Sequence, residues 1–198
     1  IRRLVLLTLY PHYSKATTGS SVRDFQRRAA GYGFVIHTID AWPDHPGYVR
    51  ELAATILEAR ERVGENARVV YSAHSLPARF IEEGDPYCEH LARTIAAVEG
   101  ETGIKGELCY QSRSGPVRWL EPSTPDTIDR LAAEGCRKLV MVPISFVSDH
   151  VETLYEIDML YRRQAEQHNM RLERAPSLNT RPGFIAALAD LVEEAIRP

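Results

Sequence analysis

Six short runs rich in β-branched and aromatic residues punctuate this chain, and between them apolar residues recur every three or four positions. The runs are RLVLLTLY (3–10), FVIHTID (34–40), RVVYSAH (68–74), ELCYQS (107–112), KLVMVPISF (138–146) and MRLERAPSL (170–178). Val49, Leu52, Ala53, Ile56 and Val63 form one helical stripe; Phe184, Leu188, Leu191, Val192 and Ala195 form another. Strand and helix alternating in this way predict an α/β fold. Parallel strands need long crossovers, the crossovers are helices, and the helices then cover both faces of the sheet. Local punctuation agrees. Asp85-Pro86 and Thr124-Pro125 read as an N-cap followed by Pro at N1, and Gly135 reads as a C′ residue.

Composition excludes several other classes. Of 198 residues 44% are hydrophobic and 26% charged, the balance of a globular chain rather than a disordered, collagen-like or coiled-coil one. The net charge of −3 provides no basic field for a nucleic acid. No apolar run approaches the roughly 18 residues needed to cross a bilayer. Cys88, Cys109 and Cys136 show no CxxC spacing, which argues against a disulfide framework, a structural zinc site or a four-thiolate iron–sulfur cluster. A reducing cytoplasm is the expected setting. The chain begins at Ile1 and runs straight into a strand, so a preceding N-terminal part is expected.

In open parallel sheets ligands bind at the C-terminal ends of the strands, and four such ends carry unusual chemistry. Tyr10-Pro11-His12-Tyr13-Ser14, then Thr17-Thr18-Gly19-Ser20, offers aromatics and hydroxyls for a flat ligand, though a turn and a helix cap would explain it too. YSAHSLP places His74 over the crevice as a base or a metal ligand; the plainer account is a buried imidazole bonded to backbone. Tyr110 to Pro122 is a cationic, aromatic loop in which Arg113 and Arg118 could pair with carboxylates and Trp119 offers an apolar face. The fourth end, Pro143 to Asp158, puts Glu152, Glu156, Met159 and Arg163 on one α-helical stripe and Leu154, Ile157, Tyr161 and Ala165 on the other. Asp149-x-x-Glu152 fits a capping box, which leaves His150 unexplained. Imidazoles, acids, cations and hydroxyls converging on one crevice suit the handling of a metal together with a planar anionic ligand. There is no P-loop and no GxGxxG.

YSAHSLP, YQSRSGPVRWLEPST and PISFVSDHVETLYEID, in that order, resemble the signature segments of the ferrochelatase family, and YPHYSxxTTGSS is similar to its segment between two lobes. The likeness extends from about Leu4 to Phe184. It implies two doubly wound parallel-sheet lobes with the first lobe mostly missing: residues 17–168 as the intact second lobe, 1–16 and 169–198 as remnants of the first. It implies insertion of Fe²⁺ into protoporphyrin IX to give protohaem, with His74 and Glu152 as the pair that binds iron and handles protons. His150 would sit beside them and Glu156 would continue an acidic path. Tyr10, Tyr13, Ser112, Arg113 and Trp119 would face the porphyrin. The string ETLYEID resembles the protoporphyrin branch more than the coproporphyrin branch. No permanently bound cofactor and no [2Fe–2S] cluster are expected, iron being a substrate. Peripheral contact with a membrane is compatible with so apolar a substrate, and a tetrapyrrole-binding module without turnover is the competing reading.

Overall fold

The computed structural model describes residues 1–197 and is an α/β structure with two parallel sheets. The elements in chain order are β1 (Arg3–Leu7), α1 (Thr18–Ala29), β2 (Val35–Ile39), α2 (Pro46–Val63), β3 (Arg68–His74), α3 (Ala78–Glu82), α4 (Tyr87–Thr102), β4 (Gly106–Gln111), α5 (Thr124–Ala133) and β5 (Lys138–Val142). A π-helix (Glu152–Tyr161), α6 (Arg162–Gln167), β6 (Arg171–Arg174) and α7 (Pro182–Ile196) complete it.

The larger sheet has the order β4-β3-β5-β6, so β3 and β5 are central. That position explains their composition: β3 is buried from Val69 to Ala73 and β5 from Leu139 to Val142, the near-continuous apolar reading of a strand covered on both faces. Alternate residues enter different cores. Val69, Tyr71 and Ala73 join the cluster under α2, α4 and α7, whereas Val70 joins a second cluster with Ile128, Leu131, Ile157, Tyr161 and Ala165 from α5, the π-helix and α6. Helices therefore cover both faces, as expected of a doubly wound sheet.

The smaller sheet contains only β1 and β2, paired in parallel from Arg3–Val35 to Leu7–Ile39. The sheets divide the chain elsewhere than residues 17 and 168. Residues 35–39 pair with 3–7, and β6 joins β5 through Lys138–Arg171 and its successors, because Leu172 is needed to close the second core. Trp42 fastens the small sheet to the larger unit: its indole N–H donates to Thr8 O at 3.0 Å, and its ring packs on Tyr48 and Phe184.

Capping at α5 differs from the sequence reading. Ser123, not Thr124, caps α5, accepting from Asp126 N at 3.1 Å. Thr124 is fully buried and its hydroxyl is engaged with Ser72 and Cys109. Asp85 does cap α4 functionally, its Oδ1 accepting from Tyr87 N at 3.0 Å.

Candidate active site

At the C-terminal end of β3 the strand outruns its neighbour. The β3–β5 register ends at Tyr71–Val142, and one further backbone bond, from Ile144 N to Ser72 O at 3.2 Å, closes the pairing before His74. The freed backbone N–H of His74 donates to Ser145 Oγ at 2.7 Å, and its carbonyl accepts the Tyr87 hydroxyl at 2.9 Å. The imidazole is fixed as well. Nδ1 lies 2.8 Å from Ser75 O, and a carbonyl can only accept, so Nδ1 carries the proton and the neutral ring keeps its lone pair on Nε2. The backbone bond thus selects a tautomer suited to accepting a proton or ligating a metal.

His74 and Glu152 line one cavity of about 340 Å³, with Tyr10, His12, Ser14 and Ser145 among the other walls. Glu152 is half-buried at the first residue of the π-helix, the end at which a helix dipole favours an anion. Phe146 stands between two imidazoles, its ring 6.2 Å from that of His74 and 5.1 Å from that of His150. His150 is exposed, within reach of Ser148 Oγ at 3.1 Å, and sits at the cavity's rim through Phe146 rather than in its lining.

The remaining expected residues separate. Glu156, Ser112 and Arg113 open onto a second hollow of about 370 Å³, and Trp119 onto a third, beside Arg118 and Leu120. Arg113 bonds Leu120 O at 3.2 Å. Tyr13 is half-buried next to the first cavity but absent from its lining, and its backbone N–H donates to His90 Nδ1 at 3.0 Å. Glu152 and Glu156 open onto different hollows, and the helix is π rather than α, so each turn holds more residues and an α-helical projection is displaced along it. Leu154 shows the same displacement. Expected in the core, it is 48% exposed, while Thr153, Ile157, Tyr161 and Ala165 are buried at four-residue spacing. The Asp149 capping box is not formed either. Its carboxylate accepts from Arg174 at 3.1 Å and Asn179 at 3.0 Å, and Thr153 reaches back instead, its Oγ1 accepting from His150 N at 2.9 Å.

Sequence reasoning missed the cavity's inner polar residues. His12 is 2% exposed, with Nε2 bonded to Thr94 Oγ1 at 2.9 Å and Nδ1 buried without a partner. Burial pushes its imidazole down to about 3, with the neighbouring His90 adding to the effect. Asp85, also buried, accepts from Ser14 Oγ at 3.0 Å and Lys15 N at 2.7 Å, tying the Tyr10–Thr17 wall to α4. The Pro-His pair in YPHYS was the available signal for His12; no local pattern marks Asp85 as more than a cap.

Comparison with known proteins shows the family. The family model described as Ferrochelatase matches residues 1–196. A ferrochelatase of Desulfotalea psychrophila is 53% identical over 98% of this chain, one of Geotalea uraniireducens 48% identical over 99%, and one of Aquifex aeolicus 41% identical over 99%. These matches cover 62%, 63% and 65% of the relatives' own lengths, so the chain spans about three fifths of the curated proteins it resembles. Among solved structures, SirB from Bacillus subtilis with Fe³⁺ aligns with a TM-score of 0.69 at 14% identity, covering 98% of this chain and 71% of that one. The sirohydrochlorin chelatase SirB from Bacillus subtilis subspecies spizizenii in complex with cobalt gives 0.64 at 13%, covering 98% and 69%. At these identities the likeness is one of fold.

Proposed function

Because this chain belongs to the ferrochelatase family, we propose that it supplies the metal- and proton-handling wall of an enzyme that inserts Fe²⁺ into protoporphyrin IX and releases two protons. The observation that carries this reading is the shared cavity of His74 and Glu152. Inserting a dication into a free-base porphyrin requires two pyrrole N–H protons to leave and a stiff ring to bend until its lone pairs meet the metal. A protein assists by positioning the ring, by accepting protons and by exchanging hydration water for its own donors.

His74 meets the second and third requirements with the Nε2 lone pair that its Ser75 bond leaves free. Glu152 adds a hard oxygen and a negative charge that favours entry of a dication. One imidazole and one carboxylate hold a passing cation more weakly than a full set of protein ligands would, which suits a metal that must move on into the porphyrin. Tyr10, Leu76 and Phe146 give the cavity apolar surface against which a macrocycle could lie. Nothing in this scheme requires a resident cofactor, and no helix among the described residues is long and apolar enough to cross a membrane.

A second reading has one observation in its favour. With about three fifths of the relatives' length, the chain could bind a tetrapyrrole without turning it over. Following porphyrin fluorescence after addition of Zn²⁺ or Fe²⁺ separates the two. Turnover predicts conversion of the free-base spectrum by the wild-type chain and its loss in His74→Ala with the fold intact. Metallation at the wild-type rate by His74→Ala overturns the assignment; binding without conversion by the wild-type chain identifies a carrier.

A further inference from the structure

The π-helix places Glu156 and Tyr161 five residues apart, and the Tyr161 hydroxyl donates to Glu156 Oε2 at 3.1 Å. An α-helix could not make this bond. At about 100° per residue, side chains five apart diverge by about 140° around the axis, whereas the wider i→i+5 winding brings them much closer together. Glu156 Oε2 also accepts from Ser112 Oγ at 2.8 Å and Gln111 Nε2 at 3.3 Å. Ser112 adopts a left-handed backbone at φ 64°, rare for a non-glycine residue, and from that position its hydroxyl reaches the helix.

Gln111 extends the connection to the strand that carries the imidazole. Its side chain is buried, its Oε1 accepts from Ser72 Oγ at 2.6 Å, its backbone carbonyl accepts from Ser75 N at 2.8 Å, and it stands opposite His74 in the β3–β4 register. One carboxylate therefore joins the helix that begins at Glu152 to the strand ends that present His74.

We propose that Glu156 is a positioning residue: its bonds to Tyr161, Ser112 and Gln111 lock residues 152–161 in the π form and so set where Glu152 stands relative to His74. This assigns it a different task from an acidic stepping stone for the cation. The lock stands on the geometry alone, while its consequence for Glu152 rests on the function proposed above. All three partners donate, so an uncharged acceptor at position 156 preserves most of the lock. Without an acceptor, or without the Tyr161 hydroxyl, the segment relaxes toward narrower α turns and Glu152 swings about the axis.

Amide hydrogen exchange over residues 152–161 and calorimetric titration with Zn²⁺, on the full chain and on Tyr161→Phe, Glu156→Leu and Glu156→Gln, test this directly. Tyr161→Phe and Glu156→Leu are expected to exchange about tenfold faster in that segment with α2 unchanged, and to bind Zn²⁺ about fivefold more weakly. Glu156→Gln should stay within about threefold of wild type in both measurements. Unchanged exchange in Tyr161→Phe and Glu156→Leu overturns the lock. A Gln variant as impaired as Glu156→Leu also overturns it, because charge rather than hydrogen bonding would then be the property that matters. His74→Ala serves as the control. If it loses Zn²⁺ while the faster-exchanging variants do not, the link to Glu152 is refuted. If His74→Ala also binds Zn²⁺ normally, the proposed function fails and the lock survives.

Discussion

The His12 imidazole makes the stability of this protein depend on pH in a calculable way. Thr94 has one hydroxyl hydrogen, and it faces the Pro43 carbonyl at 2.5 Å, so His12 Nε2 must donate to Thr94 and Nδ1 must hold the lone pair. With Nδ1 buried and the ring held near a pKa of about 3, the native protein keeps His12 neutral at pH 5. The unfolded chain, with an ordinary histidine pKa near 6.5, binds that proton, so this contribution to stability is complete above about pH 6.5 and is lost as pH falls toward about 3. At pH 5 the loss is about 1.36 × 1.5, or ~2 kcal/mol. The figure depends only on the native pKa lying well below 5. His12→Gln keeps an amide near the Nε2 position to donate to Thr94 and removes the titration. Urea unfolding followed by circular dichroism at about pH 8 and about pH 5, for both proteins, reads the effect as a difference of differences. Burial also lowers the pKa of His90, but His90 is common to both proteins and its contribution largely cancels. The wild type should lose ~2 kcal/mol more than the variant on acidification. Equal losses would refute a neutral, sealed His12.

Asp85→Ala strands the Ser14 hydroxyl and the Lys15 and Tyr87 amides and should cost about 2–3 kcal/mol by urea unfolding, whereas Asp85→Asn, which keeps an acceptor, should cost less than half as much. Leu131→Ala, at a fully buried position of the second core, should destabilise by about 2–5 kcal/mol; a loss below about 1 kcal/mol would mean that this core is not close-packed. Glu152→Gln should weaken Zn²⁺ binding about tenfold while leaving free-base porphyrin binding, read by fluorescence, within about twofold. Equal loss of both would make Glu152 a porphyrin contact instead.

The sequence made the central strands legible because a strand buried on both faces has little freedom in composition. RVVYSAH maps residue for residue onto β3, and His74 stands at its end as read. Other runs were read too long, the central KLVMVPISF among them, whose strand ends at Val142. FVIHTID shortens to Val35–Ile39 and MRLERAPSL to Arg171–Arg174, because one partner strand or a brief contact with the core does not sustain an extended run. The split into two sheets was not legible from periodicity: Ile36 and Val140 look alike in sequence, and only long-range pairing distinguishes them. The π-helix was beyond an α-helical template, which misplaced Leu154. His12 and Asp85 were missed for a different reason. Their importance lies in contacts with Thr94, His90, Ser14 and Tyr87 that span long stretches of chain.

Soaking crystals of the chain with Co²⁺ and locating the metal by anomalous scattering would ask where a dication comes to rest. An ion ligated by His74 Nε2, with a Glu152 oxygen in its coordination sphere and Ser75 still bonded to Nδ1, is the predicted result. Full-occupancy cobalt bound only elsewhere, with the His74 and Glu152 side chains bare, would contradict the account at its root.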